Sequence, residues 1–365
     1  MIDLEQLALP GVRSLQPYQP GKPAEELERE LGFSDIIKLA SNENPLGAGR
    51  LATEAVRAGS AELHRYPDGN GHALRSALAG KLGMPMAQIV IGNGSNEILE
   101  LVARAFVTAE HEVVFSEHAF AVYPLVTQAI GARAVVTPAR DWGHDLTAMR
   151  AAVTERTRLI FIANPNNPTG SWLPAEALEE FIASQPEHVI TVIDEAYCEY
   201  VNAAGYPDAS AWIDRFPNLL VTRTFSKIHG LAALRLGYGL ASAPMAELLN
   251  RVRQPFNVNN LAQLAGIAAL HDDEHVQHSR ELNRRGMRQL IDGFDGLGLD
   301  WIPSVGNFIC VACGRPAQQV YQALLEQGVI VRPVANYGMP EHLRVTVGLE
   351  AENARFLTTL ARALA

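Results

Sequence analysis

Short apolar runs alternate with longer amphipathic stretches from about residue 50 to residue 250. The runs are rich in Val and Ile and lack strict alternation with polar residues, which indicates strands buried on both faces. Their spacing leaves room for a helix between consecutive strands, as is typical of an α/β domain with a largely parallel sheet. The predicted strands lie at 88–91, 112–116, 134–137, 159–163, 189–193, 219–222 and 237–241.

The two ends of the chain have different patterns. The first part is rich in Pro and Gly and predicts an extended arm with one short helix at 24–31. The last part combines long helical patterns with short strands, which predicts a smaller α+β domain. Its helical patterns span 261–290 and 316–327, and its strands lie around Trp301, Phe308, Val329 and 343–347. We therefore predict an arm that contributes to the small domain (1–45), a large domain (46–255) and a small C-terminal domain (256–365).

Composition narrows the class of protein. The 365 residues carry a formal net charge of −10 with no cluster of Lys and Arg, so neither a nucleic acid nor an anionic membrane is an expected partner. No run of about 18 apolar residues occurs, and the acidic start lacks the basic region of a signal peptide. The three cysteines cannot form a disulfide framework and fit a reducing compartment. We expect a cytoplasmic protein.

Cys310 and Cys313 form a Cys-x-x-Cys pair that could be redox-active or bind a metal. The surrounding segment, 306–313, is largely apolar and predicts a buried strand, with no helix N-terminus to lower the pKa of the Cys310 thiol. A zinc site would need two further ligands at suitable spacing. We therefore interpret the pair as part of the core and expect no metal.

The end of the first predicted strand has the features of a phosphate site. Gly94 and Ser95 follow this strand and precede a predicted helix at 98–106. Free backbone N–H groups at a helix N-terminus suit a phosphate, although a simple helix cap is the alternative. The segment is not a dinucleotide fingerprint, because Glu97 stands where G-x-G-x-x-G needs its last Gly.

Two further strand ends carry polar side chains. The turn 164–170 contains two Asn-Pro pairs and Gly170, and such a rigid turn can hold a polar side chain in place. Asp194 directly follows the strand at 189–193, where its burial requires a cationic or hydrogen-bonding partner unless it caps a helix. We therefore expect a positive group to face Asp194.

Lys227 is one of only four lysines and the only one at the end of a predicted strand. The other three lie in the arm or in stretches typical of a solvated surface. Ser, Thr, Gly and apolar neighbours surround Lys227, and Arg235 follows eight residues later, before the next strand. Partial burial could lower the pKa of the Lys227 amine and make it nucleophilic, whereas a salt bridge is the simpler alternative.

Together these strand ends would supply a phosphate cradle, a carboxylate for a cationic ring nitrogen, a fixed Asn and an amine that forms a Schiff base. Pyridoxal phosphate needs this set, because its ring withdraws electrons only while its nitrogen stays protonated against a carboxylate. We therefore predict a pyridoxal-phosphate enzyme whose cofactor is attached to Lys227.

Strings along nearly the whole chain resemble the fold type I pyridoxal-phosphate aminotransferases. Pro17-Tyr18 and the strings 42–45 and 66–69 are most similar to the histidinol-phosphate aminotransferase branch of that superfamily. The resemblance implies a large domain with a mostly parallel seven-stranded sheet flanked by helices, plus a smaller α+β domain. The strings lie at 38–45, 66–69, 166–170, 194–197, 226–227 with Arg235, and 343–348.

The resemblance also implies roles around the cofactor. Lys227 would be the catalytic Schiff-base lysine and proton shuttle, and Asp194 would pair with the pyridine nitrogen. Phe120 would stack on the ring, without the hydroxyl contact of relatives that have Tyr there. Asn167 and Tyr197 would bind the phenolic oxygen. The phosphate would be held by Gly94, Ser95, Thr224, Ser226 and Arg235, joined by Tyr66 from the partner subunit of a homodimer.

The resemblance further implies the substrates. Arg344 and Arg332 would bind the carboxylate of glutamate or 2-oxoglutarate in one half-reaction and the phosphate of histidinol phosphate in the other. Tyr18 and Asn42 would line the substrate pocket, with the arm closing over it. The implied reaction is a ping-pong transamination in which L-histidinol phosphate donates its amino group to 2-oxoglutarate, in histidine biosynthesis.

Three other functions remain open at this stage. An aromatic amino-acid aminotransferase would share the motifs closely, because aromatic and imidazole rings fill similar pockets. A threonine-phosphate decarboxylase would use a similar site and release carbon dioxide without 2-oxoglutarate. An effector-binding module of a transcription regulator would need an added DNA-binding domain, for which 365 residues leave no room.

Overall fold

The computed structural model describes residue 2 and residues 4–17, 21–32 and 34–365. In this part of the chain a seven-stranded sheet has the order Ile89–Asn93, Leu236–Ala241, Leu219–Thr224, Ile190–Asp194, Thr157–Ala163, Glu112–Ser116 and Arg133–Thr137. Neighbouring strands are parallel, except that Leu236–Ala241 runs antiparallel to both of its neighbours. The predicted fold class is confirmed.

Helices cover both faces of this sheet. Along the strand Thr157–Ala163, Ile160 and Ile162 face one apolar core, and Leu159 and Phe161 face the other. Burial on both faces explains the Val- and Ile-rich runs of the sequence. The helices are Arg50–Gly59, His72–Leu82, Ser95–Phe106, Val122–Ile130, Leu146–Ala151, Ala175–Ala183, Ala243–Val252 and Asn260–Ala269, and a short hairpin joins Ala139–Arg140 to Gly143–His144.

A second, antiparallel sheet forms the C-terminal part. Its strands have the order Trp301–Ile302, Phe308–Ala312, Met339–Thr346 and Arg332–Val334, and its helices are Asp273–Gly296, Ala317–Leu325 and Glu350–Leu364. The strand Ile37–Lys38 of the arm pairs in parallel with Val329–Ile330. This strand of the arm thus joins the C-terminal part, whereas Gln128 of the helix Val122–Ile130 beside the large sheet donates to Ser14 of the arm.

Some elements differ from their predictions. The pattern at 261–290 forms two helices, Asn260–Ala269 and Asp273–Gly296. Asp272 is the N-cap of the second helix, because its side chain accepts a hydrogen bond from the His275 N–H. The arm is not extended throughout: besides Ala24–Leu31 it contains the one-turn helices Leu4–Leu7 and Pro10–Arg13. The domain boundaries at 45 and 255 remain a prediction.

Cys310 and Cys313 are buried at the strand Phe308–Ala312, and neither forms a disulfide. Burial raises the pKa of each thiol to about 12. Within the described ranges, no group of three or more His, Cys, Asp or Glu side chains is arranged to hold a metal ion. Across the same ranges, no helix is long and apolar enough to cross a membrane.

Candidate active site

The strand ends of the large sheet meet the C-terminal sheet at a cavity of about 260 Å³. Gly94 lies beside this cavity, next to Arg235. Tyr66 is 83% exposed and does not line it. Tyr18 lies outside the described residues. The predicted site residues that line the cavity are Asn42, Ser95, Phe120, Asn167, Asp194, Tyr197, Thr224, Ser226, Lys227, Arg235, Arg332 and Arg344.

Lys227 lies in the turn that follows the strand Leu219–Thr224. Its Nζ donates to the Ser41 carbonyl at 3.2 Å and lies 5.5 Å from the centre of the Tyr197 ring. Gly230, with φ +67°, closes this turn, and a Cβ there would lie 2.0 Å from the Gly47 carbonyl oxygen. The close approach requires glycine and holds the lysine turn against the segment that follows the arm.

Asp194 ends its strand with a carboxylate that is 5% exposed. The Tyr123 hydroxyl donates to one of its oxygens at 3.0 Å, and the Thr222 hydroxyl donates to the other at 3.0 Å. Burial raises the pKa of the Asp194 carboxyl, while these two hydroxyls and the charge of Lys227 oppose the rise. A cation placed beside this carboxylate would relieve the cost of burying it.

The helix Ser95–Phe106 begins three residues before its predicted start, so its N-terminus faces the cavity. No side chain caps it, because the N-cap residue is Gly94, at φ +79°. A Cβ at Gly94 would lie 2.6 Å from a terminal nitrogen of Arg235. That guanidinium also donates to the Ser226 hydroxyl at 3.3 Å. Backbone N–H groups, a hydroxyl and a guanidinium therefore lie together at one end of the cavity, where they suit an anion.

The C-terminal sheet contributes two arginines at paired positions of neighbouring strands, Arg332 and Arg344. Arg344 is 7% exposed. Its guanidinium donates to the Asn167 side-chain oxygen at 2.6 Å and to the Ala40 carbonyl at 2.6 Å. Among the described residues its Nε has no hydrogen-bond partner. Arg344 thus links the Asn-Pro turn to the segment that follows the arm and can still bind an anion.

A buried ion pair behind the cavity escaped sequence analysis. Arg223 donates to Glu195 through Nε at 2.9 Å and through a terminal nitrogen at 2.7 Å, and it also donates to Asp208 at 2.6 Å. Burial raises the pKa of the Glu195 carboxyl, and the Arg223 guanidinium opposes this. Because Glu195 follows Asp194, the pair holds the strand end that carries the site carboxylate.

Some signals of this environment were present in the sequence and others were absent. Arg223 lies within a buried strand, and a charge there requires a buried partner. Tyr123 gave no comparable signal, because it reads as one more core residue of an apolar helix, where its ring stacks on Phe161 at 4.6 Å. The assignment of Lys38 to a solvated surface was wrong: it is half-buried and pairs with Glu43 at 2.9 Å.

Comparison with known proteins establishes the class of this protein. The family described as aminotransferase class I and II matches residues 34–360, and the chain belongs to this family. Solved structures of Thermus thermophilus aspartate aminotransferase share the fold, with a TM-score of 0.84 at 23% identity and coverage of 97% of this chain and 99% of that chain.

The more similar relatives carry one name. Histidinol-phosphate aminotransferase 2 of Pseudomonas fluorescens is 60% identical over 361 residues, which is 98% of each chain. The enzyme of the same name from Pseudomonas aeruginosa is 59% identical over the full length of both chains. The crystal structure of histidinol-phosphate aminotransferase from Sinorhizobium meliloti in complex with pyridoxal-5'-phosphate matches with a TM-score of 0.91 at 30% identity, covering 97% of this chain and 96% of that one. The resemblance inferred from the sequence is confirmed.

The buried ion pair yields a prediction about stability. Arg223→Met should lower the free energy of unfolding by about 3–5 kcal/mol, because it leaves the Glu195 carboxylate buried without its cation. Arg251→Met is the matched control: Arg251 pairs with Glu247, and both side chains are mostly exposed, so its loss should cost no more than about 1 kcal/mol. Urea unfolding followed by circular dichroism measures both, and equal losses would contradict the assigned role.

Proposed function

We propose that this chain is a pyridoxal-phosphate-dependent histidinol-phosphate aminotransferase. It converts L-histidinol phosphate and 2-oxoglutarate to 3-(imidazol-4-yl)-2-oxopropyl phosphate and L-glutamate. The observation that carries the proposal is one cavity that unites the Lys227 amine, the buried Asp194 carboxylate and an uncapped helix N-terminus beside Arg235. Relatives of 54–60% identity over nearly the whole chain bear the name of this enzyme.

The cavity fits the cofactor at two places. Asp194 is a buried carboxylate whose protein partners include two neutral hydroxyls, and it would hold the protonated ring nitrogen. The space between the Gly94 turn, Ser226 and Arg235 would hold the phosphate, with Ser95 and Thr224 beside it. When bound, the cofactor supplies an electron-withdrawing ring that makes the substrate's α-proton acidic.

The remaining chemistry belongs to residues of the chain. Lys227 would carry the cofactor at its Nζ and, once displaced by the substrate amine, remove the proton from the substrate α-carbon. Asp194 would keep the ring nitrogen protonated, and Phe120 would pack on the ring. Tyr197 and Asn167 would hydrogen-bond the phenolic oxygen.

Two arginines would serve both substrates in turn. Arg344, with Arg332 on the adjacent strand, would bind the carboxylate of glutamate or 2-oxoglutarate and the phosphate of histidinol phosphate. A forked guanidinium suits either anion, whereas a lysine ammonium is less specific. Asn42 lines the same cavity.

A homodimer would complete the phosphate site. Tyr66 stacks on Phe256 at 4.8 Å, and both rings are exposed, as is Leu63 nearby in the chain. Large apolar side chains exposed together mark an interaction surface. We place this surface at the interface with a second copy, where Tyr66 would reach the partner's phosphate. The three free thiols support a reducing compartment, and we place the enzyme in the cytoplasm.

The attachment at Lys227 can be tested directly. Borohydride reduction of the wild-type holoenzyme followed by peptide mapping should place a pyridoxyl label on the peptide that contains Lys227. Lys227→Ala should bind the cofactor noncovalently and lose transamination by at least about 10²-fold, because the proton shuttle is absent. A label on another lysine, or a wild-type protein without visible absorption, would refute the cofactor assignment.

Substrate preference separates this function from its neighbours. With 2-oxoglutarate as acceptor, kcat/KM for histidinol phosphate should exceed that for phenylalanine, because a phosphate offers Arg332 and Arg344 more charge and one more acceptor oxygen than a carboxylate does. A preference for phenylalanine would point to an aromatic aminotransferase. Carbon dioxide released from threonine phosphate without 2-oxoglutarate would identify a decarboxylase.

The shared site can be tested by mixing two variant chains in one dimer. Tyr66→Phe should weaken cofactor affinity by roughly 1.5–3 kcal/mol through the loss of one hydrogen bond to the charged phosphate. Hybrids of Lys227→Ala and Tyr66→Phe chains contain one site with both native residues only if Tyr66 acts across the interface. At limiting cofactor the hybrid should therefore exceed the mean activity of the two parent variants. Activity equal to that mean would show that Tyr66 acts within its own subunit.

A further inference from the structure

Asn42 occupies a position that its sequence context did not explain. Its side chain is 1% exposed, and its backbone has a φ of +55° in the left-handed region. Asn is one of the few residues that tolerate this conformation. The amide lies between Thr346 of the C-terminal sheet and Tyr197 of the large domain. A residue that only lined a substrate pocket would not need hydrogen bonds to both Thr346 and Tyr197.

The hydrogen bonds determine how the Asn42 amide is turned. The Thr346 hydroxyl accepts from the Asn42 backbone N–H at 2.9 Å and donates its own proton to the Asn42 side-chain oxygen at 3.3 Å. The amide NH₂ therefore faces the other way and donates to the Tyr197 oxygen at 2.8 Å. Because that oxygen accepts from Asn42, the hydroxyl proton of Tyr197 is directed away from Asn42.

The backbone around Asn42 is held in place by the C-terminal sheet. Asn307 donates to the Asn42 carbonyl at 3.0 Å, and the Thr346 N–H donates to the Leu39 carbonyl at 2.9 Å. The segment that carries Asn42 is thus attached to this sheet, whereas Tyr197 follows a strand of the large sheet. The bond between Asn42 and Tyr197 joins the two.

We propose that Asn42 is a positioning residue that acts through Tyr197. By donating to the Tyr197 oxygen, Asn42 aims the Tyr197 proton into the cavity, at the phenolic oxygen of the bound cofactor, and stabilises the anionic form of that oxygen. This inference rests on the proposed function and extends it, because it assigns Asn42 to the tuning of cofactor acidity instead of substrate contact.

Several charged and titratable groups face Tyr197 and define its setting. Arg344 and Asp194 act on it from the C-terminal sheet and from the same strand end, and the Lys227 ammonium lies over its ring. Tyr123 and Tyr200 lie close by. Burial raises the pKa of Tyr197 to about 12, and Arg344 and Asn42 oppose this rise. Tyr197 therefore keeps its proton near neutral pH and acts as a donor.

The test is a pH titration of the visible absorption of the holoenzyme. Asn42→Gly removes the amide while tolerating a positive φ, and it should raise the pH midpoint by roughly one unit, the size of a lost hydrogen bond to a charged group. Asn42→Asp should raise it further, because a carboxylate at residue 42 accepts the Tyr197 proton. Thr346→Val should give a smaller rise, whereas Thr346→Ser, which keeps the hydroxyl, should titrate with the wild type.

A double-mutant cycle separates positioning from a general structural effect. In a Tyr197→Phe background Asn42→Gly should cause no further shift, because the hydroxyl through which it acts is gone. The same shift in both backgrounds would overturn the inference, as would an unmoved midpoint combined with a raised KM for substrate. If the wild type shows no visible band, the proposed function fails and this inference fails with it, whereas a band that Asn42→Gly leaves unmoved overturns only the inference.

Discussion

The buried carboxylate of Asp194 is the constraint on which the candidate active site depends. Burying a carboxylate to 5% exposure costs free energy unless the charge is paired or hydrogen-bonded. Two hydroxyls provide part of this stabilisation, from Tyr123 on one side and Thr222 on the other. Arg223, one residue along the strand from Thr222, anchors Glu195 beside Asp194. These residues thus hold the carboxylate in place but do not neutralise its charge fully, so a positively charged group of a ligand would stabilise it further.

The same cavity depends on contacts between two separate sheets. The large sheet supplies Lys227, Asp194 and the helix N-terminus, and the C-terminal sheet supplies the arginines. Residues 39–44 connect them: Leu39 bonds to the C-terminal sheet, and Asn44 donates to the Ile228 carbonyl next to Lys227. Amine, carboxylate and guanidinium therefore hold fixed relative positions, as a reaction that moves protons within one bound molecule requires.

The sequence predicted the fold and most of the cavity lining, because both depend on local patterns. Buried parallel strands appear as Val- and Ile-rich runs, and their ends meet at one edge, so Asp194 and Lys227 could be brought together without coordinates. Orientations could not be predicted in this way. Packing between distant segments determines the hydrogen bond of the Tyr123 hydroxyl, the orientation of the Asn42 amide and the helix break at Asp272. The identity of a residue alone does not reveal these contacts.

The reversed strand Leu236–Ala241 has a consequence for the spacing of the site. A parallel strand would present its carboxyl end at the cavity, but this one presents its beginning, so Arg235 reaches the same edge as Lys227. The two residues then lie at opposite ends of one short connecting loop, 228–234. The length of this loop determines the distance between the amine and the guanidinium. Insertions tolerated in other loops would here change the size of the molecule that the cavity accepts.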